Sequence, residues 1–250
     1  VVSCTGFVAP GVDVALVARL GLRRDVARTV VGFMGCHGAF IGLRLARATA
    51  HEGGTALVVC VELCSLHVQD DLERESLVAA GLFGDGAAAA VVGRPTAAQP
   101  ALVRLGRSAS ALVPDDGAHM AWRVDDSGFR MRLSSYVPAL LGADLAAFVR
   151  PLVRDGAPES WCVHPGGPAI LRRVETVLRL PRAALLASRA VLRDVGNLSS
   201  ATVLFVLARE VERLAEGARG VLLGFGPGLT LEGAAFVRGP AHERRDRDAG

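Results

Sequence analysis

The stretch Phe225-Gly226-Pro227-Gly228 combines turn residues with an apolar run at 229–237 that predicts a strand. A similar stretch, Phe83-Gly84-Asp85-Gly86, precedes a second apolar run at 87–92. Predicted helices and strands alternate along the chain before both stretches. This repetition indicates an α/β protein that contains a duplicated α/β unit, with mixed sheets between helical layers.

The rest of the chain continues this alternation. The apolar, β-branched run at 55–63 predicts a strand that is buried on both faces. Further strands are predicted at 102–105, 129–133, 161–163 and 220–223, and helices at 13–20, 36–51, 73–80, 137–153, 169–178, 182–192 and 199–215. The polar, proline-containing connection at 94–100 marks an internal boundary. We therefore divide the chain into a first unit at 1–94, a second unit at 95–239 and a charged, mobile tail at 240–250.

Composition limits the classes of function. The 250 residues are 51% hydrophobic and 21% charged, which is typical of a globular chain. The basic residues, all arginine, number 28 against 25 acidic ones, so the net charge is only +3. Aromatic residues make up 5%, too few for platforms on which nucleic-acid bases stack. We expect no nucleic-acid partner, and no lysine is available as a catalytic amine.

The chain has five cysteines at irregular spacing, which are Cys4, Cys36, Cys60, Cys64 and Cys162. An odd number without a paired pattern predicts free thiols in a reducing, cytoplasmic compartment. No second pair matches the spacing of Cys60 and Cys64, so we expect no metal site. The longest apolar runs are less than half of the roughly 18 residues that a membrane span needs, so we expect no membrane partner.

Cys36 is a candidate nucleophile. It lies in Gly35-Cys36-His37-Gly38, at a predicted strand-to-helix turn. Backbone N–H groups and the helix dipole at such a turn favour a thiolate, and the neighbouring glycines allow a substrate to approach closely. The ordinary alternative is a buried structural cysteine, and position alone does not choose between the two.

His164 and Asn197 are candidate partners of Cys36. His164 follows a predicted strand and precedes a Pro-Gly-Gly-Pro loop, which suits a general base or an oxyanion donor; the alternative is a hydrogen-bonded loop histidine. Asn197 precedes Ser199-Ser200, where its amide would donate to a developing oxyanion or simply begin a helix. A dispersed Cys, His and Asn suit acyl-thioester chemistry and a cysteine hydrolase alike.

Five strings occur in order along the chain: Gly35-Cys36-His37-Gly38, Leu82-Phe83-Gly84-Asp85-Gly86-Ala87-Ala88-Ala89, His164-Pro165-Gly166-Gly167-Pro168-Ala169-Ile170-Leu171, Gly196-Asn197-Leu198-Ser199-Ser200-Ala201 and Gly224-Phe225-Gly226-Pro227-Gly228-Leu229-Thr230. Together they resemble the chalcone synthase-like, type III polyketide synthases of the thiolase superfamily, over residues 1–237. The resemblance implies a thiolase-like fold with layered α-β-α-β-α architecture, whose first repeat is incomplete in this chain.

The resemblance also implies a mechanism. Cys36, as a thiolate paired with His164, would take an acyl starter from coenzyme A. Malonyl-CoA would then lose carbon dioxide, and His164 and Asn197 would donate hydrogen bonds to the enolate oxygen. The enolate would attack the Cys36 thioester in a Claisen condensation, and the extended chain would cyclise to a pyrone, resorcinol or naphthol-type product. Acyl-CoA and malonyl-CoA would be the substrates of a homodimer that needs no metal or redox cofactor.

Further pocket residues follow from the same resemblance. Phe83 matches the family's gatekeeper phenylalanine, and Met131 stands at the position of the second gatekeeper. His67 and Trp122 occupy pocket positions where smaller residues are common in plant enzymes, which argues against a chalcone or stilbene product. Ala9 stands where plant members place a methionine that reaches into the partner subunit. The remaining substrate-binding residues that the resemblance implies are Ser199, Gly226, Pro227 and Gly228.

Length is the largest departure from the family. Its members carry roughly a hundred or more residues before the segment that matches Val1, including the basic residues that hold the coenzyme A phosphates. The start of the chain has neither Met nor a charged signal-peptide region. We therefore expect either a fragment of a normal enzyme or a truncated, non-catalytic paralogue that acts as a dimer partner. A ketoacyl-carrier-protein synthase III is a close enzymatic alternative, and a cysteine hydrolase a distant one.

Overall fold

The computed structural model of the chain describes residues 1–113, 119–126, 128–134 and 136–240. Apart from its first residue, the predicted tail at 240–250 lies outside these residues. The α-helices are α1 (Val12–Arg19), α2 (Gly38–His51), α3 (Arg74–Leu82), α4 (Val137–Val149), α5 (Pro168–Leu178), α6 (Leu186–Val195) and α7 (Thr202–Val211). The strands are β1 (Val2–Ser3), β2 (Val31–Gly32), β3 (Ala56–Leu63), β4 (Asp85–Val92), β5 (Val103–Leu112), β6 (Met120–Asp125), β7 (Gly128–Leu133), β8 (Ser160–Val163), β9 (Arg219–Gly226) and β10 (Thr230–Arg238).

The strands form two mixed four-stranded sheets and a hairpin. The first sheet has the order β2-β1-β3-β4, with β1 parallel to β2 and β3, and with β4 antiparallel to β3. The second has the order β5-β10-β9-β8, with β8 parallel to β9 and with β10 antiparallel to both of its neighbours. Strands β6 and β7 pair with each other, Trp122 opposite Met131. These mixed sheets, alternating with helices, confirm the predicted α/β class.

Helices α2 and α7 lie between the two sheets and join them into one core. Phe40 and Leu43 of α2 and Val206 of α7 belong to the same hydrophobic cluster as Val58 of β3 and Leu222 of β9. Burial of each side chain of this size stabilises the folded chain by about 1.5–3 kcal/mol. The first sheet, the α2–α7 layer and the second sheet therefore stack as successive layers.

Helices α4 and α5 cover the far face of the second sheet. Leu141 and Leu145 of α4 and Leu171 of α5 share a second cluster with Val221 and Leu223 of β9. Successive residues of β9 thus face opposite layers, because side chains alternate across a strand. The glycine-rich carboxyl end of β9 therefore lies between the α2–α7 layer and the α4–α5 layer.

Two sequence predictions need correction. Strand β3 was expected to be buried on both faces, but Leu57 and Leu63 are exposed while Val58 and Cys60 are buried. The reason is that no element among the described residues covers the outer face of the first sheet. Helix α4 ends at Val149 rather than at residue 153, because Pro151 has no N–H with which to continue the helix.

Candidate active site

A cavity of about 710 Å³ brings the three candidate catalytic residues together. Cys36, His164 and Asn197 all border it, although 161 positions separate the first from the last. The other predicted site residues that border the cavity are Phe83, His67, Trp122, Met131, Ser199 and Pro227. Gly226 and Gly228 do not border it. The cavity therefore gathers residues of both predicted units around one thiol.

Cys36 lies in a single 3₁₀ turn, Gly35–His37, that leads directly into α2. Gly35 has φ +70°, and a β-carbon at this position would overlap the ring of Pro227. Glycine is therefore required both by the left-handed backbone and by the close approach of the loop after β9. This packing holds the half-buried Cys36 at the cavity wall.

The ionisation of Cys36 differs from the sequence-based expectation. The start of α2 was expected to favour a thiolate, but burial raises the pKa of Cys36 to about 11. Hydrogen bonds from Ser199 and Asn197 act in the opposite direction and are outweighed by burial. Because desolvation penalises the charged form, Cys36 is a thiol at neutral pH until another group removes its proton.

His164 follows β8 and is held by its backbone to β9. Its N–H donates to the carbonyl of Leu223 at 2.8 Å, and the residue is 1% exposed. Burial, and secondarily the charge of His37, lowers the pKa of His164 to about 3. The imidazole is therefore uncharged at neutral pH and has a free lone pair on one ring nitrogen, as a general base requires.

The side chain of Asn197 is oriented by its hydrogen bonds. Its Oδ1 accepts from the backbone N–H of Ser199 at 2.9 Å and from the hydroxyl of Thr202 at 3.3 Å. The Nδ2 group lies 3.9 Å from Cys36 Sγ. Because the carbonyl oxygen is already engaged, the amide presents its N–H donors to the cavity beside the thiol.

Asn197 and Phe83 belong to neighbouring backbone segments. The N–H of Asn197 donates to Leu82 O at 2.8 Å, and the N–H of Gly84 donates to Asn197 O at 2.9 Å. Gly196, at φ +76°, has no room for a β-carbon because Leu82 O would lie 2.9 Å away. The Phe83 turn and the Asn197 turn are thus docked backbone to backbone, which sets Phe83 at the cavity beside the candidate catalytic residues.

Large aromatic side chains form one wall of the cavity. The indole N–H of Trp122 donates to Cys4 O at 2.7 Å. His67 stacks on Phe129 with ring centroids 4.4 Å apart and meets the edge of Trp122 at 5.4 Å. Sequence reasoning missed Phe129, since nothing in its local sequence indicates a stacking partner. Each ring of this wall therefore contacts another ring, and the indole of Trp122 is also held by its hydrogen bond.

A buried carboxylate beneath the site was also missed. Glu62 is 0% exposed and accepts from the N–H of Cys4 at 3.0 Å, from Thr5 Oγ1 at 2.9 Å and from the hydroxyl of Ser200. The thiol of Cys4 lies 2.9 Å from Ser199 Oγ. A lone glutamate within the apolar run at 55–63 was the available signal, because a buried charge must be hydrogen-bonded.

Within the described ranges, no group of three or more His, Cys, Asp and Glu side chains is arranged to hold a metal ion. No helix in the same part of the chain is long and apolar enough to cross a membrane.

Two family models match most of the chain. Residues 1–96 match "Chalcone and stilbene synthases, N-terminal domain", and residues 104–239 match "Chalcone and stilbene synthases, C-terminal domain". The layered α/β fold around a Cys, His and Asn cavity is that of the thiolase-like class. The chain belongs to the chalcone and stilbene synthase family, the type III polyketide synthases.

Named relatives and solved structures agree with this membership. The chain is 41% identical over 245 residues to a 1,3,6,8-tetrahydroxynaphthalene synthase of Streptomyces peucetius subsp. caesius, covering 92% of this chain and 64% of the relative. It is 37% identical over 248 residues to the alpha-pyrone synthesis polyketide synthase-like Pks18 of Mycobacterium tuberculosis, covering 93% and 62%. The chain therefore spans less than two thirds of the length of these relatives.

The crystal structure of 1,3,6,8-tetrahydroxynaphthalene synthase from Streptomyces coelicolor A3(2) superposes with a TM-score of 0.87 at 36% identity, covering 96% of this chain and 71% of that one. The type III polyketide synthase domain of Steely1 from Dictyostelium gives a TM-score of 0.90 at 30% identity, covering 95% and 69%. These likenesses confirm the thiolase-like fold.

Proposed function

We propose that this chain carries the catalytic centre of a polyketide synthase that joins an acyl-CoA starter to malonyl-CoA by decarboxylative Claisen condensation. The observation that carries the proposal is the meeting of Cys36, His164 and Asn197 at one cavity of about 710 Å³. A thiol nucleophile, a neutral imidazole and a fixed amide donor are the three groups that acyl transfer followed by enolate formation needs.

The first step is transfer of the starter to Cys36. Nε2 of His164 takes the proton of the Cys36 thiol, and Sγ attacks the thioester carbonyl of acyl-CoA. The bond to coenzyme A breaks, and coenzyme A leaves as a thiolate that takes a proton from water outside the cavity. Cys36 then carries the acyl group, and His164 is an imidazolium.

The second step forms the new carbon–carbon bond. Malonyl-CoA loses carbon dioxide, and the electron pair of the broken bond moves to the thioester oxygen. Nε2–H of His164 and the Nδ2 group of Asn197 donate to that oxygen. The enolate carbon attacks the Cys36 thioester, Sγ leaves, and the thiolate recovers the proton from His164. No step in this sequence requires a metal or a redox cofactor.

The aromatic side chains of the cavity wall reduce the space that is open to a product beside Cys36. His67 and Trp122, held by Phe129 and by Cys4 O, occupy space beside the nucleophile. We therefore propose a pyrone, resorcinol or naphthol-type product rather than a chalcone or stilbene. The printed names of the relatives, a naphthalene synthase and an alpha-pyrone synthase, fall within this range.

Loading of the starter tests the nucleophile directly. We expect purified protein incubated with acyl-CoA starters to gain one acyl group, located on Cys36 by peptide mass spectrometry. Cys36→Ala abolishes the adduct, whereas the control Cys162→Ala, a buried thiol that does not border the cavity, keeps it. Full loading of Cys36→Ala refutes the assignment.

The same experiment separates the competing functions. A preference for acyl-carrier-protein thioesters over acyl-CoA would indicate the ketoacyl-carrier-protein synthase III alternative. Release of free acid without chain extension would indicate a hydrolase. A folded protein that neither loads nor extends a chain would indicate the non-catalytic paralogue.

The assembly that we propose is a homodimer. Phe7 and Val8 are each more than two-thirds exposed and adjoin Ala9, which stands where plant members of the family place the methionine that reaches into the partner subunit. Sedimentation velocity tests the proposal, and a monomer at micromolar concentration contradicts it. All five cysteines are free thiols, which fits the reducing, cytoplasmic compartment that we propose for the chain.

A further inference from the structure

His37, the residue after the nucleophile, is buried without a hydrogen-bond partner. It is 2% exposed, and neither of its ring nitrogens hydrogen-bonds to any described residue. Burial, and then the charge of Arg44, lowers the pKa of His37 to about 4, so the ring is uncharged at neutral pH. Packing alone does not explain an imidazole here, because a phenyl ring fills similar space without polar atoms to satisfy.

The ring of His37 lies against the carboxyl end of β9. A β-carbon on Gly226 would overlap Nδ1 of His37, so the imidazole sits directly on the Gly226 backbone. The next aromatic residue of α2, Phe40, packs in the same way on Gly224. His37 and Phe40 therefore cover the same face of β9, two residues apart along the strand.

His164 lies on that same face of the neighbouring strand. Val163 pairs with Leu223, so His164 lies beside Gly224, which is two residues before Gly226 on β9. Cys162, two residues earlier on β8, faces the α2 layer and belongs to its hydrophobic cluster. Since alternate residues share a face, His164 points into the same layer as His37. The influence of the His37 charge on the pKa of His164 agrees with this proximity.

One nitrogen of His164 is also unpaired. Its Nδ1 is buried and hydrogen-bonds to no group in the part of the chain that the structure describes. Two neighbouring buried imidazoles thus hold three nitrogens without protein partners. Buried polar groups of native proteins are satisfied by ordered water when protein groups do not reach them, and such a water makes about three hydrogen bonds.

We propose that His37 is a positioning residue for His164: a buried water accepts the hydrogen bond of His164 Nδ1–H and donates to a ring nitrogen of His37. This link holds the proton of His164 on Nδ1 and leaves the Nε2 lone pair facing the thiol of Cys36. When Nε2 takes the thiol proton, the same link stabilises the imidazolium. The catalytic consequence rests on the proposed function, whereas the link between the two rings does not.

The test determines which ring nitrogen of His164 carries the proton, and it needs no substrate. Protein labelled with ¹⁵N-histidine gives imidazole nitrogen shifts that identify which nitrogen carries the proton, and His164→Gln assigns the signal. We expect the Nδ1–H tautomer in the wild type. His37→Phe removes the acceptor that holds the bridging water in place, and it should move His164 toward the Nε2–H form that free imidazole side chains prefer. His37→Gln keeps a polar partner and should restore part of the wild-type signal.

A kinetic measurement accompanies the spectra. His37→Phe should slow acyl loading of Cys36 by about tenfold, a fraction of the roughly 10²–10⁴-fold that a positioned acid–base group contributes. Phe40→Leu, which alters packing on the same face of β9 without touching a polar atom, should change neither the tautomer nor the loading rate. His37→Phe should remain folded, because a phenyl ring fills similar space on Gly226 and no direct protein hydrogen bond is lost.

The outcomes separate this inference from the proposed function. An unchanged His164 tautomer together with an unchanged loading rate in His37→Phe overturns the inference, even if the enzyme condenses substrates normally. A tautomer shift in His37→Phe supports the link between the rings, even if the wild type loads no acyl group and the proposed function fails. Equal effects of His37→Phe and Phe40→Leu on the tautomer also overturn the inference, since they indicate packing alone.

Discussion

At the residue scale, the site is organised before any substrate binds. The amide of Asn197 is fixed by two hydrogen bonds to its oxygen, so its N–H donors need no reorientation when charge develops on a thioester. Burial keeps Cys36 and His164 uncharged. The proposed reaction therefore starts from a thiol and a neutral imidazole. The proton that passes between them would couple activation of Cys36 to formation of the later hydrogen-bond donor on His164.

The buried histidines predict a pH dependence of stability. The pKa of His37 falls from 6.5 to about 4 on folding, so the unfolded chain binds more protons between these values. Stability associated with His37 is complete above pH 6.5 and is lost as the pH falls toward 4. Between pH 6.5 and 5 this loss amounts to about 1–2 kcal/mol.

Urea unfolding at the two pH values measures this effect. The difference in unfolding free energy between pH 6.5 and pH 5 should be smaller in His37→Phe than in the wild type. His51→Phe is the matched control, because His51 is exposed and its loss should leave the difference unchanged. An identical pH dependence in wild type and His37→Phe would show that His37 is not buried as the fold requires.

At the element scale, the sequence predicted most helices and strands, because the spacing of apolar residues and the positions of turn residues mark them locally. The turn at 83–86 and the loop after β9 are examples in which glycines signal where a strand begins or ends. Strand β6 was not predicted, although Trp122-Arg123-Val124-Asp125 alternates apolar and polar residues, because so short an alternation is a weak signal without its partner strand β7. The exposure of one face of β3 was not predicted either, because the burial of a sheet face depends on whether another element packs against it.

The junction of the Phe83 and Asn197 turns gives a prediction at this scale. Gly196→Ala places a β-carbon 2.9 Å from Leu82 O at φ +76°. Gly217→Ala is the matched control, because Gly217 has φ +81° and nothing within 4 Å of an added β-carbon. Both variants place a side chain at positive φ, at a cost of about 1–2 kcal/mol. Gly196→Ala should lose more, because its ψ of −162° lies in a backbone region essentially restricted to glycine and because its β-carbon meets Leu82 O.

Urea unfolding measures both losses of stability. The excess destabilisation of Gly196→Ala over Gly217→Ala reports the glycine-only backbone of Gly196 and its close contact with Leu82 O together. Equal destabilisation would mean that the Asn197 turn moves away from Leu82 freely, and the fixed placement of Asn197 would then have to be abandoned.

At the scale of the whole molecule, two sheets and the helices between them bring distant residues to one cavity. The sequence indicated Cys36, His164 and Asn197 as chemical types, and the family resemblance joined them into one site. Neither the sequence nor the resemblance predicted the distances between these side chains or how deeply each is buried. The thiol form of Cys36 is one consequence, because burial outweighs the helix start that seemed to favour a thiolate. The unpaired nitrogens of His37 are another, since they exist only once α2 packs on β9.

The central claim is that Cys36, His164 and Asn197 form one decarboxylating condensing centre, and chain extension tests it most directly. The protein would be incubated with an acyl-CoA starter and ¹³C-labelled malonyl-CoA, and the products followed by mass spectrometry. We predict products that gain labelled two-carbon units in the wild type. In Asn197→Ala, which lacks the amide donors and adds no charge beside the thiol, we predict that acyl loading is affected less than extension, which is reduced by about 10²–10³-fold. Extension at the wild-type rate in Asn197→Ala, or no extension by a wild-type protein that is folded and acylated on Cys36, would contradict the account.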